Sequence, residues 1–417
     1  MDKLVAYGGN TLSGHIPVSG AKNAVLPIMA ASLLAPGEYV IRNVPNLRDT
    51  RTMSKLLEII GASVEMENGR MVIDSSGVNN PEAPYELVKT MRASFYVLGP
   101  LLARFKQAKV SLPGGCAWGP RPVDLHLKGM EALGADVRLE GGYIVASSDG
   151  LRGADFTLDI SSVGATGNIM MASVFADGIT VIENSAREPE IAMLAEFLNS
   201  MGADIRNIGT DSVEIHGVDS LHPTDFEVIP DRIEASTYLV AGAMLGEEME
   251  ISPVIPRHLS AVLDKVRRAG AQVTVEDRAL QVSRGDRIDA IDVTTAIYPG
   301  YPTDMQAQWM AYMATAQGSS VITEEIYPDR FTHVAELNRL GANISLEGNV
   351  AVVKGVDSLK GAPVMSTDIR ASASLILAGL IAEGRTDIQR IYHIDRGYER
   401  IERKLQGIGA DIVRVSE

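Results

Sequence analysis

The sequence predicts an α/β fold of two domains, each made of three copies of one module. Three observations lead there. The chain has 417 residues with 46% hydrophobic content, more than one ordinary core accommodates. A helical pattern closed by Gly-Ala and followed by a short strand pattern recurs six times. The two ends of the chain also complement each other: the last module is short of strands and the first twenty residues supply spare ones.

The six copies read LLEIIGASVEM, GMEALGADVRL, FLNSMGADIRN, KVRRAGAQVTV, ELNRLGANISL and LQGIGADIVRV, with glycines at Gly61, Gly134, Gly202, Gly270, Gly341 and Gly409. These glycines recur at near-equal intervals. The period is longer than that of common solenoid repeats, so each module is a sizeable folded unit. A module opens with a helix of small and aliphatic residues, as in IRASASLILAGLIAEG, RIEASTYLVAGAMLG and RASFYVLGPLLARF. A short strand follows, as in VSLPGG or MEISPV, and then an amphipathic helix. In module three that helix places Ile191, Leu194, Leu198 and Met201 on one face; in module six Tyr398, Ile401, Leu405 and Ile408 do the same, the 3-4-3 spacing of a helical period. Glycine ends the helix where a left-handed backbone costs least. A hairpin closes the module, with Asn68-Gly69 as a tight-turn pair in ASVEMENGRMVI.

Module six stops after one strand, while KLVAYGGNTLSGHIPVSGA holds two strand-like runs. These runs are expected to supply what module six lacks, so that the termini meet. The domains are then 21–229 and 1–20 plus 230–417, with chain crossings near Gly20 and Pro230, a hinge, and a cleft between the halves.

Composition excludes several function classes. The formal net charge of -15 repels nucleic acid and anionic lipid. One cysteine allows no intrachain disulfide, which fits a reducing, cytoplasmic setting. The opening MDKLVAYGGN lacks a leader pattern, and no run of about 18 apolar residues marks a membrane span. The seven histidines lack metal-ligand spacing, and there is no phosphate-loop or dinucleotide fingerprint. No metal and no cofactor are therefore expected.

The helix starts carry an unusual charge pattern. Aligned on the glycines, the first helices begin near Lys22, Arg92, Gly164, Arg232, Asp304 and Arg370. The second helices begin near Arg48, Arg121, Arg257 and Arg396, all at the same offset from their glycines. Helix N-termini are partially positive and ordinarily favour acids, so repeated cations there point to an anion held between side chains and backbone donors. Surface pairing with nearby Asp or Glu is the plainer reading for any single arginine.

Three loops stand out. Pro113-Gly-Gly-Cys-Ala-Trp-Gly-Pro-Arg-Pro122 is too rich in Pro and Gly for a helix or strand. It carries Cys116, shortly before Arg121, whose guanidinium favours a thiolate, although a lone cysteine is usually a small buried hydrophobe. Tyr298-Pro-Gly-Tyr-Pro-Thr-Asp304 ends in an acid that reads by itself as an N-cap, or as a base near a substrate. Ser161-Ser-Val-Gly-Ala-Thr-Gly-Asn168 has the look of an anion nest.

The six-module plan, together with GAKNA around Lys22 and Asn23, TMRAS around Arg92, PGGC-x-x-G-x-RPVDLH around Cys116, YPTDMQ around Asp304 and TDIRAS around Arg370, resembles the UDP-N-acetylglucosamine 1-carboxyvinyltransferases of the enolpyruvyl transferase family. The resemblance covers essentially the whole chain, and the cysteine motif is specific; the related enolpyruvylshikimate-phosphate synthases share the six-fold plan but lack this loop. The resemblance implies two inside-out α/β barrel domains, with helices inside and sheets outside. It implies transfer of the enolpyruvyl group of phosphoenolpyruvate to the 3-hydroxyl of UDP-N-acetylglucosamine with release of phosphate, the first committed step of peptidoglycan precursor synthesis. Those two small molecules are the implied partners, with neither nucleic acid nor membrane insertion.

By the same resemblance, Lys22, Asn23, Arg121, Arg370 and Arg396 bind phosphoenolpyruvate, with Arg370 on its carboxylate. Arg92, Arg121, Pro122, Val123, Asp124, Leu125, Ser162, Val163, Gly164, Asp304 and Ile326 bind the nucleotide sugar. Asp304 is the implied general base, and Lys22, Asn23 and Arg396 share in catalysis. Cys116 is the implied acid toward C3, or a nucleophile giving a thioketal, and the target of a phosphonate epoxide such as fosfomycin. Its loop is expected to fold over the ligand as UDP-N-acetylglucosamine promotes closure.

Two positions depart from the family pattern: Arg48 stands where many relatives have lysine, and Ile160 where some have a basic residue. Two other readings compete, an enzyme acting on shikimate 3-phosphate and a non-catalytic paralogue sensing a UDP-sugar. The second predicts loss of Lys22, Cys116, Asp304 or Arg396, and all four are present.

Overall fold

A computed structural model describes residues 2–89, 91–112 and 123–416. The chain divides into two compact units, Gly20–Ile229 and Met1–Ser19 with Pro230–Glu417. Each has its own aliphatic core.

In each unit three first helices gather at the centre. In the first unit these are Lys22–Ala31, Leu98–Phe105 and Val163–Ser173; in the second, Arg232–Leu245, Gln306–Met313 and Ile369–Ile381. Their apolar residues are not confined to one stripe, and helices of that kind belong in a core. Gln306–Met313 is buried at every residue, and Arg232–Leu245 at every residue but the first. Truncating a large side chain there is expected to cost ~2–5 kcal/mol. Pro100 lies inside Leu98–Phe105, in the first turn, where a missing N–H is harmless. The preceding Arg92–Val97 is wound as a 3-10 turn, so the helix expected from Arg92 is tightened at its start. Thr303–Met305 precedes Gln306–Met313 in the same way.

Among the described residues, six four-stranded sheets wrap these helices, three per unit, all with one pairing scheme. An edge strand pairs in parallel with its neighbour, and the other two pairings are antiparallel. In module two the order is Glu82–Ala83, Gln107–Ser111, Tyr143–Ser147, Asp136–Glu140. Strands alternate between the two faces, as in Ser212–His216 where Val213 and Ile215 point inward. Helices inside and sheets outside make each unit an inside-out α/β barrel. Among the described residues, no helix is long and apolar enough to cross a membrane.

The repeat glycines close the second helices in one way. All six have φ between 87° and 112°. The N–H of the alanine after each glycine bonds a carbonyl in the last turn of the helix: Ala62 to Leu57 at 3.0 Å, Ala135 to Met130 at 3.0 Å, Ala203 to Leu198 at 3.0 Å, Ala271 to Val266 at 3.3 Å, Ala342 to Leu337 at 3.2 Å, and Ala410 to Leu405 at 3.0 Å. This is the Schellman closure, which satisfies carbonyls that the helix end leaves bare. The Gly-Ala pair marks the repeat because glycine alone tolerates the left-handed turn and alanine tucks under the helix.

The chain ends depart from expectation in one respect. Lys3–Tyr7 enters the module-six sheet between Arg385–Gln389 and Asp411–Val415, and Ser416 Oγ donates to Asp2 Oδ1 at 2.9 Å. Leu12–Pro17 does not join that sheet. It pairs in parallel with Gly246–Ser252 and is the edge strand of module four. In module one the edge place is taken by Asp225–Glu227, from the far end of the same unit. Each unit thus closes by lending its first module a strand from elsewhere in the sequence.

Candidate active site

Within Gly20–Ile229, the starts of the central helices collect cations and small residues. Lys22 is the first residue of its helix and is buried, and its Nζ lies 3.4 Å from Oδ2 of Asp49. Asp49 is the second residue of helix Arg48–Ile60, buried beside an exposed Arg48. Asn23 is exposed. No side chain caps Lys22–Ala31, whereas Ser162 Oγ accepts from the Ala165 N–H at 3.3 Å and caps Val163–Ser173. The stretch Ser161–Asn168 is a helix start that Ser162 caps.

The starts of modules two and three are tied together. Asn168 donates to the Phe95 carbonyl at 2.9 Å and accepts from the Gly99 N–H at 2.6 Å. Its amide also meets His126 Nδ1 at 3.2 Å. A Cβ on Gly164 would lie 3.1 Å from His126 Nε2, so glycine lets the helix start approach the ring closely. Burial, and then Arg92, push His126 down to about 3, so the ring is neutral at pH 7. Arg92 itself is exposed, as is Asp124, the first residue of helix Asp124–Ala132; Val123 is half-buried and Leu125 buried. Arg92, His126 and Ser162–Gly164 thus share one end of the unit. Cys116, Arg121 and Pro122 lie outside the described residues.

In the other unit one central-helix start carries the opposite charge. Asp304 sits in the 3-10 turn Thr303–Met305 and caps nothing. Its Oδ1 is 2.7 Å from an Arg330 guanidinium nitrogen and its Oδ2 is 2.7 Å from Arg370. Burial alone would raise the Asp304 carboxyl; Arg370 and Arg330 outweigh it and hold it well below the usual carboxylate range. Arg370, the second residue of helix Ile369–Ile381, is buried, and the N-cap Asp368 accepts from its N–H at 2.8 Å. Burial works against the Arg370 charge, but Asp304 and Tyr398 raise its proton affinity above the usual range. Its second nitrogen reaches the Tyr398 hydroxyl at 3.2 Å, which contacts Thr237 at 2.8 Å.

Arg396 ends the 3-10 turn Ile391–Arg396 rather than opening a helix, and it stands just before Tyr398. Half-buried Ile326 is held through its backbone: its N–H donates to Glu324 at 2.9 Å. Arg232 and Arg257 line a shallow recess with His258 and Tyr298, Arg232 lying 5.4 Å from the Tyr298 ring centroid. Asp304, Arg330, Arg370 and Tyr398 form one constellation with Ile326 close by through Glu324. Sequence reasoning missed Asp49 and Arg330. Asp49 has a local signal, an acid in the first turn of a helix; Arg330, in a loop far along the chain from Asp304, has none.

Such an arrangement serves anion chemistry. Guanidinium groups offer paired donors to carboxylate or phosphate, and an ionised carboxylate within reach of a hydroxyl can take its proton.

Comparison with known proteins gives a consistent picture. The family model for EPSP synthase (3-phosphoshikimate 1-carboxyvinyltransferase) matches residues 6–405. The chain is 55% identical to the UDP-N-acetylglucosamine 1-carboxyvinyltransferase of Trichlorobacter lovleyi, covering 100% of both chains. It is 55% identical to the protein of that name from Myxococcus xanthus, covering 99% of both. Among solved structures, the enolpyruvyl transferase NikO from Streptomyces tendae superposes with a TM-score of 0.91 at 27% identity, covering 100% of this chain and 99% of that one. The EPSP synthase of Acinetobacter baumannii has a TM-score of 0.77 at 18% identity over 100% of both chains, a likeness of fold.

Proposed function

The chain belongs to the EPSP synthase family, and from that premise we propose that it transfers the enolpyruvyl group of phosphoenolpyruvate to the 3-hydroxyl of UDP-N-acetylglucosamine, releasing phosphate. What carries this reading is the 55% identity over the full chain to proteins named for that reaction, where the family model alone leaves the acceptor open. Supply of peptidoglycan precursor in the cytoplasm follows from the same reading.

Three compact negative charges on phosphoenolpyruvate call for several cations. Lys22, Arg121 and Arg396 take the phosphate and Arg370 the carboxylate. Arg92, residues 121–125, Ser162–Gly164 and Ile326 hold the nucleotide sugar, and Asn23 orients the reacting hydroxyl. The sugar oxygen adds to C2 while C3 gains a proton, giving a tetrahedral ketal. Loss of phosphate from C2, with departure of a C3 proton, restores the enol ether. Cys116 serves as acid toward C3 or attacks C2 itself.

Asp304 is the base for the sugar hydroxyl, and its ion pairs bear on its timing. Clamped by Arg330 and Arg370, it binds a proton poorly. A substrate carboxylate that engages Arg370 competes for that guanidinium. Asp304 then keeps one strong partner, and its proton affinity rises toward what a base needs. Phosphoenolpyruvate in place thus makes Asp304 more basic when the hydroxyl must be deprotonated.

The test is phosphate release from phosphoenolpyruvate with UDP-N-acetylglucosamine or shikimate 3-phosphate as acceptor, run beside Cys116→Ala. Release with the nucleotide sugar alone supports the reading. Release with shikimate 3-phosphate, or with neither, overturns it.

A further inference from the structure

Glu324 is fully buried and has no assigned role, yet four hydrogen bonds converge on it. Oε1 accepts from Thr295 Oγ1 at 2.7 Å and from the N–H groups of Ile326 and Tyr327, each at 2.9 Å. Oε2 accepts from Thr303 Oγ1 at 2.9 Å. A buried carboxylate is costly unless its lone pairs are used, and here hydrogen bonds to neutral groups use them.

The Thr303 bond gives the cluster a direction. Thr303 Oγ1 spends its proton on Glu324 and accepts from an Arg330 nitrogen at 2.9 Å. The other Arg330 nitrogen reaches Asp304 Oδ1 at 2.7 Å. An acceptor-only carboxylate at one end fixes each donor in turn: Thr303 toward Glu324, Arg330 toward Thr303 and Asp304. A second arm from the same carboxylate holds the backbone at Ile326.

We propose that Glu324 is a positioning residue that sets both Asp304, through Thr303 and Arg330, and the segment carrying Ile326 for the acceptor substrate. The inference rests on the functional reading above for what Asp304 and Ile326 do. An amide in its place leaves one neutral oxygen for the three donors around Oε1, a weaker acceptor than the carboxylate, so the bonds that hold Ile326 and Tyr327 loosen. Its NH2 then faces Thr303, whose oxygen already accepts from Arg330 and whose proton loses its acceptor. The chain of donors is broken with little change in shape.

The experiment compares wild type, Glu324→Gln, Thr303→Val and Thr303→Ser in steady-state kinetics, thermal unfolding and amide hydrogen exchange over residues 324–330. Glu324→Gln should raise KM for UDP-N-acetylglucosamine and lower kcat, each by about tenfold, the size expected for losing a hydrogen bond to a charged group. It should also speed exchange at Ile326 and Tyr327. Thr303→Val should lower kcat about tenfold with KM for the nucleotide sugar within about twofold, since the Ile326 arm is intact, and Thr303→Ser should restore kcat. Unchanged kinetics in folded Glu324→Gln, or a kcat loss in Thr303→Val that Thr303→Ser does not restore, overturns the proposal. A wild type that releases no phosphate refutes the functional reading; exchange then still decides the tie, and unaltered exchange at Ile326 and Tyr327 in Glu324→Gln overturns it.

Discussion

Lys22 and Asp304 occupy the same place in two copies of one module, at the start of a central helix, and carry opposite charges. Lys22 is buried with an Asp49 oxygen 3.4 Å from its ammonium. Asp304 is a carboxylate between two guanidinium groups, each at 2.7 Å. The backbone frame is shared down to the Schellman closures that end modules one and five. Repetition thus provided a scaffold on which the helix-start residue was free to change sign. One copy carries a buried ammonium beside Asp49, and another carries an acid whose strength its neighbours set.

The sharpest way to break this contrast is at Asp304. Asp304→Asn keeps the shape and removes the base, so turnover is expected to fall by ~10²–10⁴-fold in a phosphate-release assay. A variant near wild-type rate would mean that the clamped carboxylate is no base. Lys22→Met should raise KM for phosphoenolpyruvate by about ten- to a hundredfold, the worth of a charged hydrogen bond, without an equal change in KM for the nucleotide sugar. Equal effects on both would dissolve the distinction between the two helix starts.

Acid should reveal the neutral ring under Arg92. His126 is neutral when folded down to about pH 3, while the unfolded chain takes up a proton below about 6.5. The unfolded state binds more protons between those values, so stability falls as pH drops through that window, by ~1.4 kcal/mol per unit from this residue. Denaturant unfolding of His126→Gln against wild type should show a shallower loss between pH 6 and 4. The smallest effects concern the shared frame. Gly134→Ala meets nothing within 4 Å and suffers from its φ of 87° alone, about 1–2 kcal/mol. Gly61→Ala adds a Cβ 2.7 Å from the Gly77 carbonyl oxygen and should cost more. Thermal unfolding of the pair separates the two costs.

Much of the frame was legible because it is local. Gly-Ala pairs signal a helix end, and spacings such as Ile191, Leu194, Leu198 and Met201 name the buried face, which all four line. Asn68-Gly69 adopts φ of 49° and 76°, a hairpin pair. What depends on distant partners was misread or missed. Asp304 looks like a cap in the sequence because its guanidinium partners, Arg330 and Arg370, stand far from it along the chain. Leu12–Pro17 resembles a missing strand of the last module, but its pairing with Gly246–Ser252 is set by sheet geometry that no local pattern reveals. The cations at the helix starts were visible; what each one faces was not.

The opening segment has a consequence for biosynthesis. Lys3–Tyr7 finds its sheet neighbours only at 385–389 and 411–415, nearly the whole chain later. On a ribosome Lys3–Tyr7 therefore waits without its sheet neighbours while Gly20–Ile229, whose sheets draw on no other segment, is already able to fold. Residues 20–229 can thus mature before the strand that precedes them, which finds its sheet only once residues 385–415 are made.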